Sequence, residues 1–167
     1  MNKFCNKSLL KMRDIMMKHN GQIFYRMMFD GGSRGNPGIS GAGCVIYDIY
    51  DNKVVSAYQY LGDNKSANYA EFSALILGLR CALDYGLFNL YVEGDSLMII
   101  RQMVHKNLNL NKELSELNDV AVSLENEFSV IYYEHVKRNF NKEADKMANR
   151  AMNEKNIDEI LITESYE

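Results

Sequence analysis

The most restrictive stretch of the chain is 25–45, YRMMFDGGSRGNPGISGAGCV. Phe24, Tyr25, Met27, Met28 and Phe29 form an aromatic and apolar run without helical period, which predicts a strand ending on Asp30. Gly31, Gly32, Gly35, Pro37 and Gly38 then crowd together, and glycine and proline at that density predict a turn with positive φ. A second run, Ala42 to Tyr47, predicts the returning strand. The expected product is a hairpin whose first strand carries a carboxylate to its tip. A phosphate-cradling glycine loop is excluded by context. Such loops open a helix whose N-terminus holds the anion, whereas here a strand follows and no Gly-Lys-Ser/Thr is present.

The rest of the chain supplies partners for that hairpin. Lys53 to Leu61 reads as a third strand entered through Asp51-Asn52, completing an antiparallel meander. The period then changes: Phe72, Leu75, Ile76, Leu79, Ala82 and Leu83 make one helical stripe within Ser66 to Tyr85, and Gly86 stops it. Phe88 to Glu93 is a fourth strand, closed by Gly94-Asp95. Leu97 to Val104 is a short helix, and Leu114, Leu117, Ala121, Leu124 and Phe128 mark another. Ser129 to His135 is a fifth strand. Asn141 is placed to cap a last helix reaching Met152, with Ala144, Ala148 and Ala151 as its small inner face. This order predicts an α/β fold: a five-stranded mixed sheet, three antiparallel meander strands plus two parallel ones, with helices on both faces.

With 167 residues, 47% hydrophobic and 25% charged, the chain fits one globular domain, expected over 23–153. No apolar run is long enough to span a bilayer, and no secretory signal pattern is present, so no membrane partner is expected. Cys5, Cys44 and Cys81 are far apart and form no CxxC, which argues for reduced thiols. The expectation is an intracellular, cytoplasmic monomer, or a nuclear or organellar one in a eukaryote. The net charge of −3 weighs against a general grip on nucleic acid, yet a carboxylate-rich nuclease can be acidic overall. Lys3, Lys7, Lys11, Arg13 and Lys18 stand against Asp14 near the start, predicting a flexible basic arm over 1–22; contact with nucleic acid is its alternative role. An acidic tail, 154–167, is expected to fray.

The string DGGSRGNPG resembles the first motif of type 1 ribonuclease H, where an aspartate ends strand one before a Gly-Asn-Pro-Gly turn. SANYAEFSALILGL and HVKRNFNKEADKMA resemble later motifs of that family, in the same element order, and the resemblance covers about Ile23 to Met152. It implies a ribonuclease H-like fold and an endonuclease that hydrolyses the RNA strand of an RNA–DNA hybrid, leaving 5′-phosphate and 3′-hydroxyl ends. It also implies two Mg²⁺ ions, with Mn²⁺ as a substitute, held by Asp30, Glu71, Asp95 and Asp145. Asp30 would bridge both ions, Asp145 would share the one that activates water, and Glu71 and Asp95 would complete the other. The physics agrees: helical side chains lean toward the N-terminus, so Glu71 and Asp145 can reach back to the sheet, and converging acids require a hard cation. Taken singly, Asp95 also reads as a helix cap and Asp145 as an acid favoured by the helix dipole.

The resemblance further assigns substrate contacts. Gly31 and Gly32 would offer bare backbone to a ribose, Asn36 and Asn68 would face the minor groove, and Ser66 would hold a DNA-strand phosphate. Ala67 departs from the asparagine common there. Arg138 and Asn139 stand where many members carry a histidine that assists product release; His135, earlier in the segment, is the other candidate or an ordinary strand-end residue. The short, tryptophan-free segment 104–114 resembles the compact form, which lacks a basic handle helix and should bind hybrid more weakly. Two other classes fit the same fold: a non-catalytic hybrid-binding domain and a nuclease acting on DNA.

Overall fold

Near-continuous burial along 25–29 and 42–47 marks strands covered on both faces of one sheet. The computed structural model describes residues 5–155, with side chains from Lys7 onward. Strands Tyr25–Gly35 (β1), Gly38–Tyr47 (β2) and Lys53–Lys65 (β3) form the antiparallel meander, and Asn89–Gly94 (β4) and Val130–His135 (β5) add in parallel beyond β1. The order across the sheet is β3-β2-β1-β4-β5, so β1 is central. Among the described residues no helix is long and apolar enough to cross a membrane. The tail expected to fray lies, after Lys155, outside the described residues.

The expected hairpin tip is revised. β1 does not end at Asp30 but stays paired with β2 to Gly35↔Gly38, and the turn forms at Asn36-Pro37. Gly31 and Gly32 remain in the ladder; within this stretch only Gly35 has a positive φ, 96°. What stops near Asp30 is the parallel pairing with β4, whose last register pair is Phe29↔Gly94. Asp30 therefore sits where β1 and β4 part.

The helices are Cys5–Lys18 (α1), Ala67–Asp84 (α2), Leu97–His105 (α3), Lys112–Glu125 (α4) and Lys142–Glu154 (α5). On one face Met27, Phe29, Cys44, Leu90 and Val92 pack under α2, which α4 covers in turn through Leu114 and Ala121. That sandwich explains why α2 buries more than its predicted stripe, including Ala74 and Leu77. The thiols of Cys44 and Cys81 are free and buried in this layer. On the other face Ala144 of α5 lies against Met28, Val45 and Tyr47.

The flexible arm expected over 1–22 is corrected where it is described: Cys5–Lys18 is helical and docked, and residues 1–4 lie outside the described residues. Met12 of α1 is fully buried against Phe24 and Tyr91, with Leu9, Ile15 and Met16 alongside. The apolar positions fall three and four apart, so a helix collects them on one face, and the lysines occupy the other.

Two glycines set how close the helices come. A Cβ on Gly31 would lie 2.1 Å from the Ala70 carbonyl carbon of α2, and one on Gly43 would lie 2.4 Å from the Ala148 nitrogen of α5. Gly43 is the partner of Asp30 in the β1–β2 register. Helix backbone thus touches sheet backbone from both sides at the level of Asp30.

Candidate active site

Four segments deliver carboxylates to that level. Asp30, only 6% exposed, comes from β1. Glu71 comes from the first turns of α2, whose start is fixed by Ser66 Oγ accepting from Tyr69 N–H at 3.1 Å and by Asn36 Oδ1 accepting from Ala67 N–H at 3.0 Å. Asp95 follows β4, and Asp145 lies in the first turn of α5. One carboxylate oxygen from each of Asp30, Glu71 and Asp95 lies within 4.8 Å of the others. Asp145 is outside that trio but shares a hydrogen bond with Asp30 and lines the same cleft of about 370 Å³.

Crowding has an electrostatic cost. Burial first, then the neighbouring Asp95 and Asp145, pushes the Asp30 pKa up to about 8. Burial, then Asp30 and Asp95, holds Glu71 well above the ordinary carboxylate range, although the Gly31 N–H donated to it acts in the opposite direction. Arg138 opposes the rise at Asp30, and its Nη2 lies 3.5 Å from Asp145 Oδ1. Glu71 Oε2 is buried and has no hydrogen-bond partner among the described residues. An orphaned buried oxygen within an all-oxygen donor set is what a hard divalent cation fits. The all-oxygen donor set suits a hard divalent cation better than a soft metal.

A fifth residue is not legible in the sequence. Asn141 reads there only as a cap for α5, but its side chain makes no cap bond. Fully buried, its Nδ2 donates to the Phe29 carbonyl at 2.7 Å and to Asp95 Oδ1 at 3.3 Å, tying β1 to the Asp95 carboxylate at the foot of α5. Asparagine before a helix looks the same in sequence whether it caps or crosses the fold, so no local signal distinguishes the two. Asn141→Ala is expected to cost about 1–3 kcal/mol by stranding the Phe29 carbonyl. Asn141→Asp should be worse, because it sets a further carboxylate against Asp95. Thermal melts of the three proteins check the order.

The residues 28–151 match the family described as reverse transcriptase-like. The bifunctional protein Rv2228c of Mycobacterium tuberculosis is 36% identical over 123 residues, 74% of this chain and 34% of that protein. The crystal structure of RNase H1 from Halobacterium salinarum superposes with a TM-score of 0.75 at 30% identity, covering 78% of this chain and 98% of that one. LC11-RNase H1, solved in complex with an RNA/DNA hybrid, superposes with a TM-score of 0.73, also at 30% identity and covering 78% and 98%. The chain belongs to the type 1 ribonuclease H family. This ribonuclease H chain spans about a third of the length of the mycobacterial relative it matches and 63% of the halobacterial ribonuclease HI. Its α3 and α4 are joined by residues 106–111 without an intervening helix, the compact arrangement.

The ribonuclease H residues expected to contact substrate divide into three groups. Gly31, Gly32 and Arg138 line the carboxylate cleft. Asn36 and Ser66 spend side-chain oxygens on the α2 N-terminus, leaving the Asn36 amide and the Ser66 hydroxyl proton to donate outward, while Asn68 is exposed beside them. Asn139 lines a different cleft, on the far side of α5. His135 Nε2 lies 3.2 Å from the Asp95 carbonyl and borders that second cleft too.

Proposed function

We propose that this ribonuclease H chain is an endonuclease that hydrolyses the RNA strand of RNA–DNA hybrids, acting as a monomer and leaving 5′-phosphate and 3′-hydroxyl ends. The convergence of Asp30, Glu71, Asp95 and Asp145 in one cleft carries the reading. The fold shared with LC11-RNase H1, itself solved with an RNA/DNA hybrid, supports it.

Two Mg²⁺ ions, or Mn²⁺, would be held by these four carboxylates, with Asp30 common to both. They would supply a nucleophile at neutral pH and neutralise charge on the leaving oxygen. Burial favours protonated Asp30 and Glu71, and a bound cation would favour their carboxylate forms instead. Gly31 and Gly32 put main-chain atoms on the cleft wall where a ribose would approach, and exposed Asn68 supplies a donor to the minor groove. Arg138, 81% exposed at its side chain, can turn from Asp145 to the phosphate under attack. Water adds to phosphorus and the bond to the 3′ oxygen breaks; the proton released by the water balances the 3′-hydroxyl formed.

Hybrid, double-stranded RNA and double-stranded DNA, each labelled and incubated with Mg²⁺ or with chelator, test the proposal. Cleavage is expected with Mg²⁺ and not with chelator: of hybrid, at a high KM, and less efficiently of RNA duplex, with DNA duplex left intact. Hybrid left intact would overturn the reading. In DNA duplexes containing one, two or four ribonucleotides, cutting should require several, because each 2′-hydroxyl adds a contact. Efficient cutting at one ribonucleotide would overturn the groove assignments.

A further inference from the structure

On the face of the sheet away from α2 lies the second cleft, about 570 Å³, walled by α1, by the segment from His135 to Phe140 and by the first turns of α5. Basic side chains lining it outnumber acidic ones six to four, in a chain whose net charge is −3. The floor neutralises itself. Arg26 lies between Asp51 at 2.5 Å and Glu93 at 3.3 Å, and Lys11 pairs with Glu134. On the rim Lys146 pairs with Glu143 at 2.5 Å, but Lys7, Lys137 and Lys142 are exposed and have no ion-pair partner among the described residues. Elsewhere Lys65, Lys106, Arg150 and Lys155 are each committed to an acid. Arg13, Lys18, Arg80, Arg101 and Lys112 are also exposed without an ion-pair partner among the described residues, but Lys7, Lys137 and Lys142 put three such cations on the rim of one trough.

The rim is also held in place. Ser8 Oγ donates to Glu93 at 2.5 Å, Lys11 meets Glu134, and Met12 is buried, so α1 presents Lys7 from a docked element. The foot of α5 forms the ridge between the two clefts. Lys142 and Lys146 face the second cleft, while Asp145 and Asn149 face the carboxylates; Lys137 and Arg138, adjacent in sequence, open to one cleft each.

We infer that Lys7, Lys137 and Lys142 form a second nucleic-acid contact, taking backbone phosphates of the hybrid beyond the cleavage site; this rests on the ribonuclease H reading. The three cations come from three elements along the rim of an open trough, a layout for successive phosphates and not for one small anion. A helix is about 10–12 Å across, and phosphates of one strand recur about every 3.4 Å of duplex axis. The rim therefore meets phosphates about three base pairs from the cut.

The experiment measures hybrid binding with Mg²⁺ in an Asp30→Asn background, with and without Lys7→Ala, Lys137→Ala and Lys142→Ala together. Every phosphate that a lysine no longer neutralises takes about 0.9 from the slope of log affinity against log salt, so the slope should flatten by about 2–3. Affinity for a long hybrid should fall at least about tenfold at low salt. A hybrid ending within about three base pairs of the cut on both sides should be bound equally by both proteins. Arginine at the same three positions should restore slope and affinity, which separates charge from folding. An unchanged slope, or an equal fall in affinity for long and short hybrids, would overturn the inference. A parent protein that cuts hybrid while showing either result would leave the ribonuclease H reading standing and remove only the second site.

Discussion

Asp30→Asn is expected to reduce Mg²⁺-dependent hybrid cleavage by at least about a thousandfold, some 4 kcal/mol, and to raise the melting temperature of the metal-free protein. Activity falls because Asp30 is the carboxylate nearest to all the others: Asp95 and Asp145 both act on it, and it stands beside Glu71. Stability rises for the same reason. The Asp30 carboxyl titrates at about 8 in the folded chain against 3.8 in the unfolded one, so the folded state holds the proton more tightly. An acid raised in this way costs nothing below pH 4, costs progressively more as pH rises, and reaches its full penalty above pH 8. Asparagine, always neutral, avoids that penalty. The variant should therefore melt close to the parent at pH 4 and clearly above it at pH 9, about 2–4 °C for each kcal/mol relieved. Saturating Mg²⁺ should reverse the order, because a cation bound to the folded parent stabilises it. Retained cleavage, or the same stability gain at both pH values, would remove Asp30 from the centre of the site.

The sequence made the order of elements legible because the two periods, 2 and 3.6, alternate cleanly between glycine and asparagine breaks. Gly86 ends α2 at a φ of 70°, and Ala144, Ala148 and Ala151 are the buried face of α5, as their spacing predicts. The four carboxylates are visible as short strings. Other features depend on partners distant in sequence. The glycines at 31 and 32 suggest a turn, since nothing local indicates that a helix backbone fills the space where a Gly31 side chain would be. Basic character makes α1 look like a loose arm, although Met12, Phe24 and Tyr91, far apart in the chain, close into one cluster. Asn141 reads as a cap because its acceptors, at Phe29 and Asp95, are set by the sheet register.

Gly31→Ala should damage both stability and turnover, and Gly32→Ala should not. The added Cβ at position 31 would lie 2.1 Å from the Ala70 carbonyl carbon, 2.2 Å from its oxygen and 2.2 Å from the Glu71 nitrogen. These are backbone atoms of a helix locked by Phe72, Leu75 and Leu79 in the core, so no rotamer change relieves the clash. Carbon atoms in contact sit about 3.5 Å apart, so β1 and α2 must separate by an ångström or more. Overpacking of that kind costs about 1–3 kcal/mol. It also carries Glu71 away from Asp30, and a displacement of about 1 Å is enough to lower kcat on the order of a hundredfold. At position 32 the new Cβ would meet the Met152 terminal methyl at 2.8 Å, the end of a flexible side chain that can swing aside. That variant should melt near the parent and reveal itself in KM, since the methyl group projects at the wall of the substrate cleft. Melting curves and a kcat-against-KM comparison of the two alanine variants decide the matter. Matching melts and matching kcat for Gly31→Ala would show that the approach of α2 to β1 does not set the position of Glu71.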